Sequence, residues 1–176
     1  MSRAIAALLL ALLSMPLASA NVPPLPAVIT VGSPDLRLLG EGRMRWFGLH
    51  LYDATLWVSG ADWQWESAFV LDLRYARDFA GRRIADTSAD EMKRMGLGDA
   101  GRIEAWRTEM LRVFPDVKSG DRLSGVFRPG AGAEFFHLGR STGVIRDPEF
   151  ARVFFSIWLD PPTREPKLRA ALLGRK

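Results

Sequence analysis

Residues 39–58 read LGEGRMRWFGLHLYDATLWV. Two closely spaced glycines open the stretch, and a long aromatic, β-prone run from Arg43 to Val58 follows. Gly40 and Gly42 suit a tight turn between strands, so the spacing predicts one strand over Leu36–Gly40 and a second over Arg43–Val58, bent or bulged near Gly48. Strict alternation places Trp46, His50, Tyr52 and Leu56 on one face of that second strand and Phe47, Leu49, Leu51 and Trp57 on the other. An antiparallel strand usually keeps one face wet. Two apolar faces therefore predict either a sheet covered twice or a face lining a pocket for an apolar ligand.

The flanking chain completes the pattern. Ala27–Val31 reads as a further strand. Phe69–Tyr75 alternates cleanly, with Phe69, Leu71, Leu73 and Tyr75 on one face and Asp72 and Arg74 facing water. Ala80–Met95 reads as a helix with Ile84, Thr87, Glu91 and Met95 near one face, ended by the glycines at 96 and 98. Asp99 caps a second helix carrying Ile103, Trp106, Met110 and Phe114 until Pro115. Strands over Arg122–Phe127 and Glu134–Leu138 are joined by the turn Pro129-Gly130-Ala131-Gly132. Asp147 and Pro148 then open a helix whose buried stripe is Phe150, Val153, Phe154, Ile157 and Trp158. Pro161 and Pro162 end it, and Lys167–Leu173 forms a short last helix. Strands, two helices, strands and two helices in that order predict an α+β fold, with helices packed on an antiparallel sheet.

The N-terminus carries a different message. Arg3, an apolar run from Ala4 to Leu13 and the closing Ala18-Ser19-Ala20 have the three parts of a secretory signal, cut after Ala20. The run is too short to span a bilayer, which takes about 20 apolar residues. Export to the periplasm or beyond is therefore expected, with 21–26 as an extended linker and 27–176 as one domain. No later segment is long and apolar enough to cross a membrane. Cysteine is absent, which excludes disulfides and thiolate metal sites.

Composition narrows the chemistry. Lys and Arg number 24 against 20 Asp and Glu, and the basic residues are dispersed among acidic ones. Nucleic-acid binding is not expected from such a pattern. With two histidines, neither placed in a His-x-x-x-His helix, no metal site is expected. Nucleophile-elbow, phosphate-loop and complete dinucleotide-binding motifs are missing, so no cofactor and no catalytic residue is assigned. His50 and His137 read as hydrogen-bonded structural histidines.

Two segments carry a resemblance. Leu39–Phe47 running into Leu51–Val58 is similar to the glycine-rich turn and aromatic strand of the bacterial chalcone isomerase-like family. Phe150–Leu159, followed by Leu168, Arg169 and Leu172-Leu173-Gly174, resembles that family's closing signature. Leu71–Asp78 sits where the family has a similar strand. The resemblance implies an open-faced β-sandwich, a large antiparallel sheet with helices on one face and a ligand cleft between the layers. Plant members cyclise chalcones, whereas related members bind fatty acids without catalysis.

The resemblance also implies which positions matter. The family's arginine falls on Met44, between Arg43 and Arg45. The catalytic threonine of the plant enzymes falls on Phe47, and their tyrosine, lysine and asparagine fall near Arg82, Ala85 and Ala89; near Ser156 a hydroxyl is kept. Losing the groups that polarise the ketone implies loss of the plant activity. The expected function is binding of an apolar carboxylate, fatty-acid-like, with Arg45 or Arg82 at the cleft mouth and Phe47, Leu49, Ser156 and Trp158 around the ligand. Two alternatives stay open: an isomerase or lyase using Arg45, Arg82 and Ser156, and a partner-binding protein whose cleft is filled by its own side chains.

Overall fold

The computed structural model describes Pro24, Leu25, Ile29 and residues 35–175. The expected signal sequence and most of the expected linker lie outside the described residues. So does the strand expected over Ala27–Val31 except at Ile29, where the backbone is helical instead.

Six strands form one antiparallel meander in chain order: β1 (Arg37–Trp46), β2 (Leu49–Val58), β3 (Phe69–Tyr75), β4 (Arg122–Arg128), β5 (Gly132–His137) and β6 (Arg140–Ile145). Four helices among the described residues complete the fold: α1 (Gly81–Arg94), α2 (Ala100–Val113), α3 (Pro148–Leu159) and α4 (Pro166–Leu172). The α+β class is as expected, and so are the helix starts. Asp99 accepts from the Arg102 amide at the head of α2, and Asp147 accepts from the Glu149 and Phe150 amides at the head of α3.

The long strand expected over Arg43–Val58 is in fact a hairpin. Phe47 and Gly48 both hold positive φ, 47° and 79°, and reverse the chain so that Trp46 pairs with Leu49. A two-residue turn with both φ positive matches the right-handed twist of the flanking strands.

Gly40 and Gly42 are correspondingly not a turn but lie within β1. A Cβ on Gly40 would sit 2.2 Å from the Ala171 carbonyl oxygen, and one on Gly42 would sit 2.7 Å from the Leu168 side chain. The glycines let α4 lie directly on the strand.

All four helices cover one face of the sheet. Their shared core runs through Leu56, Phe69, Leu71, Phe135, Phe150, Phe155 and Leu172, each 2 % exposed or less. Phe155 meets Phe69, Phe127 and Phe154 at ring-centroid distances of 5.1–5.8 Å, within the range of favourable aromatic pairs.

The opposite face is covered at its centre as well, so β3 is not half-buried. Leu25 and Ile29 pack there on Val70, Val126 and Phe136, with Trp57 alongside. Asp72, expected in water, is 3 % exposed on this face. It accepts from Arg122 at 2.6 Å and from the Ser124 hydroxyl. Arg122 in turn donates to the Pro24 carbonyl at 3.0 Å, tying the N-terminal segment to the sheet.

β6 carries no strand signal in the sequence. Its six residues are mixed, Gly143 holds a φ of 152° beside a register shift, and they pair along the edge of β5 with Ile145 in the core.

Candidate functional site

Between the helices and the β1–β3 end of the sheet lies a cavity of about 520 Å³, within the roughly 300–1,000 Å³ typical of small-molecule sites. Its sheet wall is Met44, Leu51, Tyr52, Leu73 and Tyr75. Its helix wall is Ile84, Phe154, Ile157, Trp158 and Leu168. Met44 and Trp46 reach it because alternate residues of β1 face the helices. A register shift between Met44 and Arg45 brings Leu51 to the wall.

The polar residues gather on one side. α1 contributes Arg83, Thr87, Asp90 and Glu91, and the α3–α4 connection contributes Thr163, Arg164 and Glu165. Positions 83, 84, 87, 88, 90 and 91 recur at the spacing of a single helix face. Glu91 holds both Arg94 and Arg164 at 2.8 Å, so the Arg164 charge is already matched. Arg83 has no carboxylate partner among the described residues. It also sits in the first turn of α1, which contains no acidic residue, where the helix dipole favours an anion.

Two phenols floor the cavity, Tyr75 buried and Tyr52 half-buried. Trp158 Nε1 donates to the Tyr52 hydroxyl at 3.0 Å, joining α3 to β2. Tyr75 lies edge-on to Tyr52 with ring centroids 5.9 Å apart. Loss of hydration pushes Tyr52 up to about 12, against the opposing pull of the Trp158 hydrogen bond, and burial drives Tyr75 higher still.

These are the only two tyrosines of the chain, so the folded protein is expected to show almost no tyrosinate absorbance at about pH 11. The unfolded chain ionises first. The stability held by the neutral phenols is therefore intact below about pH 10 and falls by about 1.4 kcal/mol per pH unit for each tyrosine above it. A full tyrosinate signal at that pH with native circular dichroism would contradict the burial.

Of the six expected site residues, the cavity wall includes Trp158 alone. Arg45 lies on the opposite face of β1, as its register beside Met44 requires, and donates to the Gly48 carbonyl. Phe47 is 90 % exposed at the hairpin tip, with Leu49 beside it. Ser156 is turned away from the 154, 157 and 158 stripe and donates to Arg152 O and Asp160 Oδ2 at 2.7 and 2.9 Å. Arg82 points one helical step, about 100°, away from Arg83. It shares that side with Asp86, which bonds Arg107 of α2. Arg83 and Tyr52 are the residues that sequence reasoning missed as site residues. The polar centre of the 80–95 helix, Thr87 and Glu91, was the available pointer to the correct face.

His50 and His137 each pair with one aspartate, Asp53 at 3.1 Å and Asp121 at 2.9 Å. Among the described residues no three of His, Asp and Glu gather as metal ligands, and no helix is long and apolar enough to cross a membrane.

A family model described as chalcone isomerase-like matches residues 20–174. The chain belongs to the chalcone isomerase-like family. An uncharacterized protein of Haemophilus influenzae is 29% identical over 141 residues, spanning 78% of this chain and 67% of its own. Among solved structures, a fatty-acid binding protein of Arabidopsis thaliana superposes with a TM-score of 0.58 at 12% identity, over 80% of this chain and 87% of that one. That likeness establishes the shared fold: this chalcone isomerase-like chain uses the same open antiparallel sheet with helices on one face.

Proposed function

We propose that this chalcone isomerase-like protein is a non-catalytic binder of an apolar carboxylate of fatty-acid type, with the tail in the helix–sheet cavity and the head at Arg83. The observation that carries the reading is an apolar cavity of 520 Å³ whose rim holds one guanidinium without a carboxylate partner among the described residues. A guanidinium grips a carboxylate with two parallel hydrogen bonds. An aliphatic tail gains about 0.8 kcal/mol for each methylene it buries. The Arabidopsis neighbour is a fatty-acid binding protein, which supports the same ligand class. An isomerase built on Arg45, Arg82 and Ser156 has less support, because those side chains occupy three separate places.

The N-terminal signal pattern adds export to the reading, with the mature chain working in the periplasm. Native mass spectrometry of the full chain expressed in a Gram-negative host is expected to show a co-purified fatty acid on a polypeptide beginning at Asn21. A delipidated protein that fails to take up palmitate would remove the ligand assignment. An intact Met1 terminus in the cytosol would remove the location.

A further inference from the structure

Four large apolar side chains stand exposed among the described residues: Phe47 at 90 %, Leu138 at 59 %, Leu49 at 49 % and Trp46 at 43 %. They are not scattered. Trp46, Phe47 and Leu49 form the β1–β2 hairpin tip, and Leu138 forms the β5–β6 tip. The register puts both tips at one end of the sheet, since Tyr52 pairs with Tyr75, Arg74 with Arg122 and Leu123 with His137. Four strand spacings separate them, roughly 19 Å. Among the described residues Phe47 and Leu138 are also the two non-glycine residues of positive φ, 47° and 50°, a conformation bulky side chains rarely hold. Two strained tips that hold their apolar groups out into water at the same end of a sheet point to a surface awaiting contact.

The charges around the tips identify that surface. Aspartates of the strand ends and loops on this side are engaged: Asp53 by Arg43 and His50, Asp78 by Lys118 and Asp121 by His137, while Asp116 accepts from the Gly81 amide. Arg45, Arg77 and Arg140 are exposed there with no carboxylate partner among the described residues. Aromatic and aliphatic tips ringed by unmatched arginines complement an anionic phospholipid interface, where Trp sits at headgroup depth, Phe and Leu bury at the acyl boundary and each basic residue adds attraction. Trp46 is both part of the tip and part of the cavity wall. The docking edge is thus continuous with the cavity, whatever that cavity holds.

We propose that the β1–β2 and β5–β6 tips dock this protein onto the surface of an anionic bilayer. The test is flotation of the full-length mature chain with vesicles of phosphatidylcholine alone and of phosphatidylcholine with equimolar phosphatidylglycerol. The parent is expected to float with the anionic vesicles at low salt and to detach at high salt. F47S/L49S is expected to lower partition at least about tenfold, and R45E/R140E at least about thirtyfold. Equal binding to both vesicle types, or parent-like flotation of both double variants, overturns the proposal. So does a parent that fails to float but sediments as a dimer that F47S/L49S splits, which would assign the tips to a second copy of the chain. Palmitate binding measured on the same variants separates this proposal from the cavity reading. Variants that keep palmitate but lose the vesicles support docking alone, and loss of palmitate uptake in the parent with flotation intact leaves docking standing.

Discussion

Asp72→Ala is expected to destabilise the protein by about 3–5 kcal/mol, lowering the thermal midpoint by roughly 10 °C or more. Asp72 is 3 % exposed and is the carboxylate partner of Arg122, whose side chain is 17 % exposed. Removing the carboxylate strands a largely buried guanidinium that keeps only the Pro24 carbonyl, and it frees a Ser124 hydroxyl that is 1 % exposed. Each unsatisfied buried group carries its own desolvation penalty. Asp72→Asn keeps one oxygen for Arg122 and turns its amide NH2, a donor, toward the Ser124 hydroxyl oxygen, and is expected to lose less. The exposed pair Arg43–Asp53 supplies the control: Asp53→Ala is expected to change stability by less than about 1 kcal/mol. Urea unfolding of the three variants ranks them. An Asp72→Ala protein as stable as the Asp53→Ala protein would mean that Arg122 reaches water freely when unpaired.

That pair also marks where sequence reasoning stopped. Alternation in β3 correctly placed Phe69, Leu71, Leu73 and Tyr75 toward the helices, because a period of two reports one buried face directly. It also sent Asp72 to solvent. What covers the other face comes from Leu25 and Ile29, more than 40 positions away, and no local pattern encodes that contact. Gly40 and Gly42 misled for the same reason. Close spacing suggests a turn, while their real constraint is the backbone of α4 about 130 residues later.

The true turn was hard to see because Phe47 holds a positive φ that Asn or Gly would have advertised. The two side-chain caps were legible: Asp99, and Asp147 with Pro148, act within three residues of themselves. The site sits between these cases. A pocket was one of two readings of the two apolar faces, the other being a sheet covered twice, and Trp158 was legible from the apolar stripe of α3. Choosing Arg83 over Arg82 needed the rotational phase of α1 against the sheet, which neighbouring elements decide.

That choice of arginine has the sharpest functional consequence. Arg83→Glu is expected to weaken palmitate binding about 100-fold. A charge-assisted hydrogen bond contributes about 1.5–3 kcal/mol, and reversing the sign adds repulsion. Arg83→Ala, which only removes the bond, is expected to lose about tenfold. Arg83→Lys keeps the charge without the two-pronged geometry and should fall between Arg83→Ala and the parent. Arg82→Ala and Arg45→Ala should leave the dissociation constant unchanged, since Arg82 lies one helical step away and Arg45 on the other face of the sheet.

Hexadecanol, which has the same tail and no charge, should bind the parent and Arg83→Glu alike. Titration of delipidated protein with both ligands separates head from tail. Hexadecanol binding that survives in every variant, with palmitate falling only in Arg82→Ala, would place the mouth of the cavity on the α2 side of α1 rather than on the side facing Trp158.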